Sequence, residues 1–161
     1  MSLGSRSSPN HEPMDTVSKA QRSRIMAQVK SSKNLSTELA FIHILRSRSI
    51  SGWRRNSSVH GRPDFVFPKS RLAVFIDGCF WHACAHHCRL PATNREYWKA
   101  KILRNAKRDR AVTQQLKRQG WWVIRFWEHD MQGGSGFTRK IRILERIVQP
   151  DKCSVRGIPR R

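Results

Sequence analysis

The chain has 161 residues, long enough for one domain with a hydrophobic core and too short for two. Its 32 Lys and Arg against 11 Asp and Glu leave a formal charge of +21, which points to a polyanionic partner, because phosphates bind such a protein by releasing their counterions. A membrane is the other polyanion, but no apolar run approaches the roughly 20 residues of a spanning helix, so nucleic acid is the expected partner.

The opening stretch MSLGSRSSPNHEP lacks the apolar centre of a signal peptide, which predicts a cytoplasmic protein. Thiols stay reduced there, so clustered cysteines suggest metal rather than disulfide. Residues 1–15, rich in Ser, Pro and Gly, read as a tail, 16–149 as one folded domain, and 150–161 as a basic tail. Arg156, Arg160 and Arg161 in that last segment suit nonspecific phosphate attraction.

In chain order, STELAFIHILRS places Leu39, Ile42 and Leu45 at helical spacing, with Glu38 in the first turn where an acid suits the helix dipole. GRPDFVF and RLAVFID are short, apolar runs bounded by Gly, Pro, Lys and Ser, and read as the two strands of a hairpin. Pro63 is expected to keep the residue before it extended and so to hold the Asp64 carboxylate at a fixed place where the strand begins. Asp77 closes the second strand, within cross-strand reach of Asp64. A long helix is predicted over 93–119, stopped by Gly120. WWVIRFWE then reads as a third, buried strand, and TRKIRILERIVQ as a closing helix. This order predicts an α/β domain, one sheet covered by helices.

Polar residues interrupt the apolar pattern. On the long helix Trp98, Ile102, Asn105, Asp109, Val112 and Leu116 trace one face, which puts Asn105 and Asp109 on the stripe that should be apolar. An acid facing a core needs a partner, either an Arg or a catalytic site. Carboxylates gathered at a sheet edge, Asp64 and Asp77, suit a hard cation such as Mg²⁺. Between them and the helix lies DGCFWHACAHHC, in which Cys79, Cys84, His86, His87 and Cys88 offer more sulfur and nitrogen than one tetrahedral zinc needs, and His129 can supply a distant ligand. His82, inside this loop, can bind metal or act as a base near neutral pH. A loop pinned by zinc can hold the bulky Phe80 and Trp81 outward to stack against bases; ordinary core packing is the alternative for each ring.

GRPDFVF, VFIDGCFWHACAHH, RLPATNREYWKAKILRNAKRDR and GWWVIRFWEHD, preceded by RSRIM at residues 22–26, together resemble the very short patch repair endonucleases. The resemblance implies a fold similar to type II restriction endonucleases, with a central mixed sheet flanked by helices and a structural zinc site. It also implies a bacterial, nucleoid-associated and monomeric enzyme, with mismatch-repair proteins as accessories. Its substrate would be double-stranded DNA carrying a T·G mismatch left by deamination of 5-methylcytosine. The implied reaction is a Mg²⁺-dependent nick of one strand, 5′ of the mispaired thymine. By the same resemblance Asp64 and the backbone carbonyl of Ile76 hold Mg²⁺, His82 is the general base, and Asp109 is a supporting acid. Glu38 touches the metal site through water, and Zn²⁺ takes Cys79, Cys84, His87 and His129. Phe80, Trp81 and Trp98 wedge beside the mismatch, Met26 enters from the other groove, and Lys101 and Asn105 face the mispaired bases. Position 77 is Asp where some relatives have His, so it stands as metal ligand, supporting acid or neither; His86 and Cys88 remain alternatives to His87. The lysine that ends the general nuclease motif of this fold is missing, as in the family, and His82 takes over its proton chemistry. Two rival readings are a non-catalytic zinc-bearing DNA-binding module, with Asp64 and Asp109 merely paired to Arg, and a nuclease of the same fold with another target.

Overall fold

The computed structural model describes residues 36–150 and, before them, Arg24, which is helical. Met26 and the rest of RSRIM apart from Arg24, residues 1–15, and 151–161 lie outside the described residues. The chain divides into a unit of residues 1–33 and one of 34–161, and every element below belongs to the second.

Helix α1 covers 36–47; strands β1 (Phe65–Phe67) and β2 (Leu72–Asp77) follow; then come helix α2 (Arg95–Arg118), strand β3 (Trp122–Trp127) and helix α3 (Ser135–Val148). The strands form one mixed sheet in the order β1-β2-β3. β1 and β2 pair antiparallel, Phe65 opposite Val74 and Phe67 opposite Leu72, across a single 3₁₀ turn at Pro68–Ser70. β2 and β3 pair parallel from Leu72 opposite Trp122 to Asp77 opposite Trp127. Parallel neighbours need a long crossover, and α2 supplies it.

Side chains along β2 alternate between two cores, as the pleat requires. Leu72 and Val74 join Phe65, Phe67 and Phe126 against α1 and α3, where Phe41, Leu45, Ile141 and Leu144 are fully buried. The Phe41 ring lies 5.1 Å from Phe65 and 4.9 Å from Phe126, tying α1 to two strands through tilted aromatic pairs worth about 0.5–1.5 kcal/mol each beyond burial. Ala73 and Phe75 face the other way, onto Leu116 of α2. The expected α/β class and helix-covered sheet are therefore observed.

Four details differ from the sequence reading. Leu39 is 53% exposed and Phe41 takes its place in the α1 stripe, because the face that meets the sheet is centred on Phe41, Ile42 and Leu45. β3 is not a buried strand: Phe126 alone is buried and Trp122 is 63% exposed, since β3 ends the described sheet and is covered over only part of its surface. Arg62 is not extended before Pro63. It sits at φ 51° in a turn whose Arg62 N–H donates to the Val59 carbonyl at 2.9 Å, so a chain reversal, rather than an extended approach, sets the position of Asp64. Gly61, at φ 80°, makes that turn possible, because a Cβ there would lie 2.2 Å from Val112 of α2. Finally, Arg54 and Val66 exchange backbone hydrogen bonds of 2.8 and 2.9 Å, a one-residue bridge on the outer side of β1 that no periodicity announces. Among the described residues no helix is long and apolar enough to cross a membrane.

Candidate active site and metal centre

The polar stripe on α2 meets the loop that leaves β2. Asp109 Oδ2 lies 2.5 Å from His82 Nδ1, and the Asn105 amide donates to the Trp81 carbonyl at 3.0 Å. Both polar residues on the apolar stripe therefore have partners in that loop. Asp109 also meets the guanidinium of Arg125 at 3.4 Å, so the acid is paired to an arginine and to the candidate base at once.

Asp64 lies just before β1, and its Oδ2 accepts the backbone N–H of Ile76 at 2.7 Å. Within a strand the N–H and C=O of one residue project to the same side, so the Ile76 carbonyl opens toward Asp64 as well. Burial pushes the Asp64 carboxyl up to about 6, and the negative charges of Glu38 and Asp77 push the same way against the Ile76 hydrogen bond. A carboxyl raised by burial and by two neighbouring acids is what a hard cation would relieve, and the oxygen donors here fit Mg²⁺. Glu38 is also ion-paired to Arg55. Asp77, 4% exposed, sits 3.6 Å from His82 Nδ1, and both of its oxygens are held by Arg125, from Nε at 2.6 Å and Nη2 at 2.7 Å. The sequence reading missed Arg125. Its signal was a lone charge in the middle of WVIRFW, on the same pleat side as Val123 and facing α2.

The ligand atoms of Cys79, Cys84, His87 and His129 all lie within 4.8 Å of one another. Cys79 Sγ is 3.1 Å from His129 Nδ1, and Cys84 Sγ is 3.6 Å from His87 Nδ1 and 3.7 Å from His129 Nδ1. Ordinary Zn–S and Zn–N lengths set S···N edges of about 3.6 Å in a tetrahedron, so a donor set of two thiols and two imidazoles at this spacing fits zinc. Neither alternative third ligand belongs to this group: Cys88 Sγ turns to the Phe80 carbonyl at 3.5 Å, and the ring nitrogens of His86 are not among the converging atoms. Burial, reinforced by the neighbouring Cys84, raises the Cys79 thiol, and burial lowers His129, which keeps that imidazole in the neutral form a metal takes. Two further acids steady the centre. Glu128 accepts the Cys79 N–H at 3.4 Å, and buried Asp130 stands 3.8 Å from His129 Nε2 while accepting from Lys140 at 2.6 Å and the Trp127 N–H at 2.8 Å.

Phe80, Trp81 and Trp98 form one aromatic cluster, with centroids 5.0, 5.5 and 5.9 Å apart in edge-on pairs. Phe80 and Trp81 are half-buried, whereas Trp98 is 9% exposed beneath them. Trp98, which the resemblance also puts beside the mismatch, lies on α2 packed against both of those rings. Lys101 holds its ammonium 5.3 Å over both the Trp81 and Trp98 rings and 5.6 Å over Tyr97, itself exposed and not singled out from sequence. A cation above exposed aromatic rings suits a phosphate or a base edge.

Residues 14–90 match the family described as DNA mismatch endonuclease Vsr. The chain is 35% identical to the DNA mismatch endonuclease Vsr of Escherichia coli K12 over 138 residues, 84% of this chain and 86% of that protein. It is 41% identical to the type II nicking enzyme V.NmeDIP of Neisseria meningitidis serogroup C over 120 residues, covering 73% of this chain and 80% of the relative. With the type II nicking enzyme V.NaeI of Lentzea aerocolonigenes it shares 52% identity over 77 residues, 48% of this chain, and the matched stretch spans 46% of that relative's length.

Proposed function

The chain belongs to the Vsr family of DNA mismatch endonucleases, and from that premise we propose that it nicks one strand of duplex DNA 5′ of the thymine in a T·G mismatch, using Mg²⁺. The fold reading that goes with it is the restriction-endonuclease type, for which the mixed sheet with Asp64 at its margin is the support. The observation that carries the proposal is the contact between His82 Nδ1 and Asp109 at 2.5 Å, beside a cluster of acids around Asp64.

With Asp109 accepting at Nδ1, the His82 proton resides on that nitrogen and Nε2 keeps its lone pair. Nε2 is then the base that takes a proton from the attacking water, while Asp109 stabilises the imidazolium that results. Asp64 and the Ile76 carbonyl would hold Mg²⁺, which when bound supplies positive charge to the scissile phosphate and the attacking water. Glu38, fixed by Arg55, adds negative charge behind Asp64. Zn²⁺ on Cys79, Cys84, His87 and His129 would fix the loop that carries His82, Phe80 and Trp81. Phe80 and Trp81, backed by Trp98, would enter the mismatch, where a wobble pair unstacks at lower cost than a matched one, with Lys101 and Asn105 beside them. We further read the enzyme as a cytoplasmic, nucleoid-associated monomer working alongside mismatch-repair proteins.

The test is a panel of matched, T·G and other mismatched duplexes incubated with the zinc-loaded full chain and Mg²⁺. A single-strand cut confined to T·G, falling about 10³-fold or more in Asp64→Ala, is the expected result. Equal cutting of matched duplexes would point to a nuclease with a different target.

A further inference from the structure

Arg125 occupies the middle of β3, opposite Phe75 and one pleat step from the residue facing Asp77. A guanidinium has five N–H groups in a rigid fork. Here four hydrogen bonds and one longer ion-pair contact engage it. Nε and Nη2 take the two Asp77 oxygens, Nη2 also meets Asp109 Oδ1 at 3.4 Å, and Nη1 donates to the Asp109 carbonyl at 3.4 Å and to Thr113 Oγ1 at 3.3 Å. The flat cation lies 4.6 Å over the Phe75 ring, which closes its other side. All three nitrogens are engaged within the protein, so little of the fork is open to a DNA phosphate. Nor is Asp77 free, because both of its oxygens are engaged and the residue is buried.

We propose that Arg125 is a positioning residue of the active site: its fork withholds Asp77 from the catalytic cation and, through Asp109, fixes the His82 ring, leaving one cation site at Asp64 and the Ile76 carbonyl. The inference rests on the endonuclease reading of this site. It assigns Asp77 a place as supporting acid rather than metal ligand. It also makes the Asp77–Arg125 pair one unit, in which loss of either member leaves a buried charge uncompensated while loss of both does not.

The experiment measures three quantities on zinc-loaded full chain: nicking of a T·G duplex at saturation, the KM for that duplex, and Mn²⁺ equivalents bound without DNA, read by electron paramagnetic resonance. Arg125→Lys keeps the charge but loses the fork, and kcat is expected to fall about 10- to 100-fold with KM within about twofold of wild type. Wild type should bind about one Mn²⁺ per chain, and Arg125→Gln, which releases Asp77, a second. The double variant Arg125→Gln/Asp77→Asn should return to one and recover thermal stability relative to either single change. The proposal is overturned if Arg125→Lys keeps its kcat, or if its loss appears in KM, which would make Arg125 a phosphate contact. Two Mn²⁺ equivalents on wild type would overturn it too, and that count needs no variant to fold. Asp64→Ala separates the two levels. Cleavage unchanged in that variant removes the endonuclease reading, whereas cleavage lost there but intact in Arg125→Lys removes only the role given to Arg125.

Discussion

Asp64 carries the clearest electrostatic signature of any single residue, since its carboxyl is raised from 3.8 to about 6 by burial and by the nearby acids. A carboxyl raised on folding makes the folded chain bind more protons than the unfolded one between those two values. Its contribution to stability is therefore lost as pH rises through that window, and above it the cation-free protein carries an unfavourable charge. A divalent cation competes with that proton. Mg²⁺ affinity is thus expected to weaken roughly tenfold from about pH 7 to about pH 5, with little change above neutrality, as isothermal titration would measure. Asp64→Asn should abolish this dependence while raising the melting temperature of the metal-free protein at neutral pH. Trp81 acts at the same scale but on recognition. Stacking on an aromatic ring is worth about 1–3 kcal/mol per base, so Trp81→Ala is expected to lose about 5- to 150-fold of the T·G preference over matched DNA while Mg²⁺ binding stays as in wild type. An unchanged preference would return that ring to core packing.

Among the elements, α2 was the most legible. Its predicted range of 93–119 differs by two residues at the start and one at the end from Arg95–Arg118, and its misplaced polar residues announced their role because burial makes an unpaired acid costly. The loop from Gly78 to Cys88 was legible only in part: the sequence displays an excess of ligands, and folding selects among them by bringing His129 across from the end of β3. Since this loop has little regular structure of its own, zinc should account for its rigidity. Elemental analysis is expected to find about one zinc per chain, lost in Cys79→Ala, and limited proteolysis should then cut within the loop while the sheet persists. Cuts elsewhere would mean that the centre supports the whole fold rather than the loop.

At the scale of the whole molecule the proposed function predicts that the +21 charge sets affinity for DNA and the site sets choice of the mismatch. If five or more phosphates are neutralised, log K should fall with log salt at a slope steeper than about −4, equally for matched and T·G duplexes. The ratio of the two affinities should then stay constant with salt, as filter-binding or anisotropy titrations would reveal. A ratio that collapses with salt would assign mismatch choice to charge instead of to the rings.

By itself the sequence determined the class of partner, the α/β order of elements, the donors available to a metal and the family, because charge, periodicity and residue chemistry are local properties. Tertiary structure brought together the four donors that the resemblance implied, setting aside His86 and Cys88, and decided which partners the carboxylates take. Arg125 taking Asp77 and Trp98 going beneath Phe80 and Trp81 depend on a parallel register and a crossover helix that bring distant residues within bonding distance. A lone charge in WVIRFW and a ring on the apolar stripe of α2 are visible in the order of residues, but the partner each one meets has no local cause.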